Sequence, residues 1–555
     1  MVDVQINIHC PLCDYGEPYR YLLEACPSCG STLLDATYQI GGPLRWPDIL
    51  HTRPNSMWRY RELLPLRDDA NIVTMREGGT PLLRSEHLGA MLGLNNLFVK
   101  DERQGPTGSF KDRQASLAIS VMRENDIKEM VVASTGNVAI AYAAYAVRAG
   151  IQLWAFITSS VPSEKMREIS LYGAELVKVT GTYDQTKQVA GSFAKARGLF
   201  LDKGIRSIAA KESMKTLAFE IAEQLAEALG PPPGSRIPWR VPDWYIQSVS
   251  GGLGPAGVMK GFRELNSHHL AMGMPKLGNI QAAGCAPMVK GFEQGLEEAP
   301  PVLNPQTVIA TVATGTPGAA YQILRRDVLN YGGAFEAVTD EEAFRALKLL
   351  ARLDGLSMEP AAAIAFAGLF KLVRAGKIQP DEVVVVNCSG HTFPVEKYIL
   401  GDEVGRTIDV TPGARQEVPQ EGLLAALQSI DRRVSSVAVI EDSPDAARLI
   451  ERILTAHGVK QVLHALDGAS GLELIRQRRP DLIVLDLMMP NVDGFEVLNA
   501  LKADEDLHDL PVVVVTAKDL TRQERERLAG QVQMLLQKGS MIDEDFLQEL
   551  VEGLS

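Results

Sequence analysis

The feature that most constrains this chain is an alternation. Between Gly41 and Leu400, apolar runs of strand length recur between stretches with the period of an amphipathic helix. The strand candidates are Leu97 to Val99, Met130 to Ala133, Leu153 to Ile157, Leu176 to Val179, Trp244 to Gln247 and Val383 to Val386. A parallel strand pair needs a crossover long enough to hold a helix. Such a chain is therefore expected to build parallel α/β sheets, with ligands at the strands' carboxyl ends. The most apolar stretch, Val138 to Thr158, is Ala-rich and carries Arg148. It reads as a buried helix followed by a strand, not a membrane span.

The pattern changes on both sides. Residues 401–433 hold Asp402-Glu403-Val404-Gly405 and Thr411-Pro412-Gly413, which read as loop, and a short amphipathic helix from Glu421 to Ile430. They are taken as an interdomain linker. Residues 434–555 resume the alternation with Val437 to Ile440, Gln461 to His464, Leu482 to Leu485, Val512 to Val515 and Met534 to Leu536. That is the pattern of a compact doubly wound domain. Residues 1–40 are different again: Cys10-Pro-Leu-Cys13 and Cys26-Pro-Ser-Cys29 form two CxxC pairs with twelve residues between them. Each pair can present two thiolates from one tight turn, and two turns complete a tetrahedral zinc site. Tyr19, Tyr21, Leu22 and Leu23 are expected to form strands between the turns, and a unit this small needs its metal to fold. His9 adjoins the first turn but is superfluous beside four thiolates. The reading is a structural zinc ribbon.

Length supports several domains: 555 residues, 46% of them hydrophobic, can fill more than one core. The formal net charge of -13 opposes general nucleic-acid binding, which needs a basic surface. No basic stretch followed by an apolar one opens the sequence, so a cytoplasmic location is expected, with no membrane partner. Cys285 and Cys388 stand alone in apolar surroundings and read as buried, inert thiols.

Four glycine-containing turns carry the chemistry of the central domain. In Pro106-Thr107-Gly108-Ser109-Phe110-Lys111-Asp112-Arg113, a flexible turn delivers Lys111 to the start of a helical segment. A lysine amine there can hold a carbonyl cofactor covalently; the alternative is a surface lysine at a helix start. Ser134-Thr135-Gly136-Asn137 follows one strand and precedes a helix, where unpaired amides suit an anion such as a substrate carboxylate. Ser250-Gly251-Gly252-Leu253-Gly254 lets backbone amides wrap a phosphate. Asn387-Cys388-Ser389-Gly390-His391 follows the last strand. Together they fit pyridoxal phosphate: a lysine, a phosphate nest, a hydroxyl for the pyridine nitrogen and anion-binding amides.

With Glu77 to Leu82, Val99-Lys100-Asp101-Glu102, Lys215 to Glu220 and Glu359-Pro360-Ala361, these turns resemble threonine synthase, a fold type II (tryptophan synthase β-like) pyridoxal-phosphate enzyme of two doubly wound α/β subdomains. The resemblance covers about Cys10 to Leu400 and assigns 41–400 as the catalytic domain. It implies that Lys111 holds the cofactor and moves protons. It also implies that Asn137 bonds the ring hydroxyl, that Gly251, Gly252, Leu253 and Gly254 hold the phosphate, and that Ser389 bonds the pyridine nitrogen. Ser134, Thr135 and Gly136 would receive the substrate carboxylate. Glu359 can sit near the cofactor or cap a helix; the cap is the expected reading. His391 receives no role.

The sequence departs from that family at the substrate phosphate. Val138 stands where the family has a threonine, and Ala210 where an arginine is usual. A hydroxyl and a guanidinium are both lost. Lys211 or Arg206 is the candidate replacement; otherwise the substrate is not O-phosphohomoserine. The favoured activity is conversion of O-phosphohomoserine to threonine and phosphate. The alternatives are a serine or threonine ammonia-lyase and a non-catalytic, amino-acid-sensing signalling protein.

In the last domain, Glu441-Asp442, Asp486, Thr516 and Lys538 follow four different strands. Parallel strands bring those ends to one edge, where clustered carboxylates hold Mg²⁺. The set resembles a flavodoxin-like response-regulator receiver domain. That resemblance implies a phosphoacceptor at Asp486 and a magnesium site of Glu441, Asp442, Asp486 and the Met488 carbonyl. Thr516 and Lys538 would form the switch, and a histidine kinase or another phosphodonor would be the partner. A homodimer is a candidate assembly.

Overall fold

The computed structural model describes residues 4–20, 23, 25–134, 136–158, 161–391, 434–456, 459–489, 492–504, 506–516, 528, 532 and 534–537. The linker assigned to 401–433 lies outside them, as do Thr135 and Lys538. The chain divides into two units, Met1–Pro394 and Val395–Ser555.

Thirteen described strands belong to the first unit. They are β1 (Val4–His9), β2 (Gly16–Pro18), β3 (Asp35–Ile40), β4 (Leu82–Arg84), β5 (Asn96–Asp101), β6 (Glu129–Ser134) and β7 (Gln152–Thr158). β8 (Glu175–Val179), β9 (Phe200–Asp202), β10 (Trp244–Ser248), β11 (Lys276–Ala282), β12 (Gly333–Val338) and β13 (Val383–Cys388) follow. β4, β5 and β10 to β13 make a six-stranded sheet in the order β12-β11-β10-β13-β5-β4, parallel except for the edge strand β4. β6 to β9 make a parallel four-stranded sheet, β8-β7-β6-β9. β10, β13 and β5 are neighbours, so the three turns that follow them lie side by side along one sheet edge.

The expected strands of the N-terminal ribbon are misplaced. Tyr21 and Leu22 lie outside the described residues, while Tyr19 and Leu23 are not in strands. An antiparallel sheet β2-β1-β3 forms instead, and its longest pairing, β1 with β3, flanks the cysteines rather than separating the two pairs. Ile8, Cys10, Cys26 and Leu34 are buried in one apolar cluster with Ala115, Leu117 and Ala118 of the Lys111–Glu124 helix. Lys211 Nζ donates to Leu34 O at 2.9 Å and Lys260 Nζ to Ala36 O at 2.7 Å, fastening β3 to two helices of the larger body.

The second unit is one parallel sheet. β14 (Ser436–Ile440), β15 (Gln461–Ala465), β16 (Leu482–Leu485), β17 (Val512–Thr516) and β18 (Met534–Gln537) run in the order β15-β14-β16-β17-β18. β14, β16 and β17 carry nearly continuous Val, Ile and Leu and are buried from end to end apart from Ser436, as strands covered on both faces must be.

Candidate active site

Lys111 is the first residue of the Lys111–Glu124 helix, and its approach is set by backbone pairing. Phe110 N donates to Ser389 O at 3.0 Å, Ser109 bridges to Gly390, and His391 N donates to Gly108 O at 2.8 Å. Gly108 takes φ 75°, a left-handed conformation open to glycine, which lets the chain double back. The Asp112 carboxylate accepts from Thr107 N at 3.0 Å and Thr107 Oγ1 at 2.7 Å, holding the turn against the helix start. Two turns 280 residues apart in the sequence are thereby locked together at the ends of adjacent strands.

The Lys111 ammonium lies 4.2 Å from the centroid of the Phe110 ring. Burial pulls its pKa down to about 8, with the negative charges of Asp202 and Glu359 working in the opposite direction. Ser389, at the end of β13, is buried.

The glycine turn after β10 is built for close approach. Gly252, at φ 76°, immediately precedes the Leu253–Ser267 helix. A Cβ there would lie 2.9 Å from that of Ala320, and one on Gly254 would lie 2.4 Å from the Gln247 side-chain amide. Only bare backbone fits, and the helix start offers amides to an anion. Ser250 Oγ is 2.6 Å from Thr314 Oγ1 at the rim.

The turn after β6 comes from the other sheet. Ser134 Oγ accepts from Gly136 N at 3.0 Å and Ala139 N at 3.1 Å, shaping the entry to the Asn137–Ala149 helix. Asn137 Nδ2 donates to Glu359 Oε1 at 2.6 Å, tying this turn to the six-stranded half. Glu359 departs from the expected reading: it does precede the Pro360–Arg374 helix, but its side chain caps no helix amide and enters the cleft. Lys165, which sequence reasoning missed, joins it there. No glycine motif marks this lysine, and it is visible only through its neighbours. Asp202, buried at the end of β9, was missed too; Tyr142 Oη donates to it at 2.6 Å.

The two candidate replacements for the substrate-phosphate residues lie in different surroundings. Lys211 is engaged by Leu34 O and Asp35 of the ribbon, and Arg206 is exposed. Ala210 is wholly buried in the apolar core, while Val138 packs against a second cluster.

Two further clusters could hold metal. The Sγ atoms of Cys10, Cys13, Cys26 and Cys29 lie within 4.8 Å of one another, as do single carboxylate oxygens of Glu441, Asp442 and Asp486. The thiols of this cluster share their protons unevenly: a backbone hydrogen bond at Tyr15 leads the fall of Cys13 to about 7, while Cys29, against a backbone hydrogen bond at Ser31, is pushed up to about 12 by its sulfur neighbours and burial. Asp486 Oδ1 accepts from Met488 N at 3.1 Å, and Thr516 is buried at the end of β17. Cys285 and Cys388 are buried, with thiol pKa values pushed up by burial, as expected of inert thiols. Among the described residues no helix is long and apolar enough to cross a membrane.

Residues 73–390 match the pyridoxal-phosphate dependent enzyme family, and residues 437–551 match the response regulator receiver domain. The threonine synthase of Methanocaldococcus jannaschii is 35% identical over 387 residues, which cover 67% of this chain and 92% of that protein. That of Methanosarcina acetivorans is 34% identical over 386 residues, covering 69% and 91%. Diaminopropionate ammonia lyase from Escherichia coli shares the fold, with a TM-score of 0.50 at 18% identity over 59% of this chain and 88% of that one. This chain belongs to the pyridoxal-phosphate dependent enzymes, as a lyase homologous to threonine synthase and fused to a response-regulator receiver domain.

Proposed function

We propose that the enzyme eliminates or replaces a leaving group on an amino acid, nominally turning O-phosphohomoserine into threonine and phosphate. The observation that carries this reading is the pairing of the Lys111 turn with the Ser389 turn beside the glycine turn at 250–254. Pyridoxal phosphate, when bound, supplies an electron sink for the substrate's α-carbon. Lys111 would hold it and carry protons, with a pKa near working pH. Gly251, Gly252, Leu253 and Gly254 would bind its phosphate through backbone amides, Ser389 would meet the ring nitrogen and Asn137 the ring hydroxyl. A hydroxyl at the ring nitrogen leaves the ring less electron-withdrawing than a charged partner would. Ser134, Thr135 and Gly136 would receive the substrate carboxylate at a helix start.

A second reading is favoured by one observation: Val138 has no donor to offer and Ala210 is wholly buried in the apolar core, so neither position supplies the donors a leaving phosphate would need. An ammonia-lyase acting on serine or threonine needs no such donors. A substrate panel on the holoenzyme decides. Phosphate released from O-phosphohomoserine supports threonine synthesis; ammonia and a ketoacid from serine or threonine replace it with the lyase.

The four cysteines would hold structural zinc, and Glu441, Asp442, Asp486 and the Met488 carbonyl would hold Mg²⁺ for phosphoryl transfer to Asp486 from a histidine kinase or another donor. Thr516 and Lys538 would read out the change. The domains would be 1–40, 41–400 and 434–555, in the cytoplasm. Phosphorylation would alter turnover or assembly. Equal turnover and oligomer size for wild type and Asp486→Ala under phosphodonor would refute that regulation.

A further inference from the structure

Lys165 belongs to no motif in the sequence. It lies in the Ser163–Leu171 helix of the four-stranded half, yet its ammonium reaches Glu359 of the six-stranded half. Lys165 Nζ donates to Glu359 Oε2 at 3.0 Å and to Asn137 Oδ1 at 2.9 Å. Asn137 Nδ2 donates to Glu359 Oε1 at 2.6 Å, so the three side chains close a ring. The charged pair is nearly sealed from water, with side chains 9% and 6% exposed. Two glycines make the room. A Cβ on Gly136 would lie 3.1 Å from Lys165 Cδ, and one on Gly390 would lie 2.5 Å from Glu359 Oε1.

We propose that Lys165 is a positioning residue for the reaction: it fixes the Asn137 amide in one orientation and balances the Glu359 charge beside Lys111. The proposal rests on the reading of Lys111 and Asn137 as cofactor-facing groups. Turning the Asn137 amide over would set its NH₂ against an ammonium and its oxygen against a carboxylate, so both bonds oppose a flip. One Nδ2 hydrogen is taken by Glu359, and the other keeps a fixed direction. Electrostatics adds the second role. The carboxylates whose charge reaches Lys111 are Asp202, held by Tyr142 Oη and by Gly204 N, and Glu359. Without Lys165, Glu359 would act on Lys111 unopposed and favour its protonated form.

The test titrates Lys111 in the cofactor-free protein by acylation and peptide mass, alongside cofactor affinity. Lys165→Met should raise the labelling midpoint by about half a pH unit or more and weaken pyridoxal-phosphate binding about tenfold, and Lys165→Arg should restore both toward wild type. Glu359→Gln should shift the midpoint downward whatever Lys165 does, because the carboxylate that favours the charged amine is lost. Lys165→Gln, which keeps a neutral polar head toward Glu359 and Asn137 and should raise the midpoint as Lys165→Met does, decides the matter if Lys165→Met does not fold. Midpoints that stay at the wild-type value in the folded variants overturn the proposal. Failure to find a borohydride-stable adduct on wild-type Lys111 overturns the cofactor reading instead, and with it the orientation role of Asn137. The midpoint shifts still decide the electrostatic role.

Discussion

The backbone amide of Phe110 donates to the carbonyl of Ser389 at 3.0 Å, and this bond sets the residue before Lys111 against the end of β13. The amine and the Ser389 hydroxyl therefore share one rigid frame. Lys111→Ala should abolish the borohydride-stable adduct and lower turnover by about 10²- to 10⁴-fold, the usual scale for losing a positioned acid-base group. Circular dichroism should be unchanged, since the frame is held by backbone bonds that alanine keeps.

Asp112, directly after Lys111, gives a pH signature. Burial pushes its pKa up to about 7, opposed by the two Thr107 bonds. Between its unfolded value of 3.8 and about 7, the native protein binds the proton more tightly than the unfolded chain does. Its stabilising contribution is thus complete below the unfolded pKa and is lost as pH rises through the folded one. Asp112→Asn should be flat over this window, so its stability relative to wild type should grow by about 4 kcal/mol from acid to neutral pH. Urea unfolding at a series of pH values measures this.

At Gly252 a side chain meets both a left-handed backbone and Ala320. Gly252→Ala should destabilise the protein by about 1–3 kcal/mol and weaken cofactor binding through displacement of the amides it flanks. Thermal unfolding with and without pyridoxal phosphate separates the two effects, and equal cofactor-induced shifts in both proteins would count against a phosphate-binding role.

Zinc is expected at one ion per chain. Cys26→Ser should lose the ion by elemental analysis and cost several kcal/mol, because a closed tetrahedral site contributes its binding energy to folding. A strong chelator should lower the melting temperature of wild type and leave that of Cys26→Ser unchanged.

Much of the fold was legible in the sequence because most strands are unbroken apolar runs. β11 was not, although it lies inside the large sheet. Its Asn279 and Gln281 are fully buried polar residues, and its Gly278 makes way for Ile246, so no apolar run advertises it. β9 is three residues long, and β4 is an antiparallel edge that no crossover rule predicts. At the site, Lys111, Ser389 and the glycine turn were readable because each closes a strand in a recognisable turn. Glu359 and Lys165 were not, because the two meet only across the cleft, one from each half. A lysine in an ordinary helix and a glutamate before a proline have many local explanations, and only tertiary contact selects among them.

The ribbon has no interior of its own. Ile8, Cys10, Cys26 and Leu34 share their apolar surroundings with the helix that begins at Lys111. A shortened chain starting after residue 40 would uncover the remainder of that apolar cluster as a bare oily scar, prone to self-association in water. Trimming the protein to its apparent catalytic body would thus yield a sticky fragment rather than a tidier enzyme.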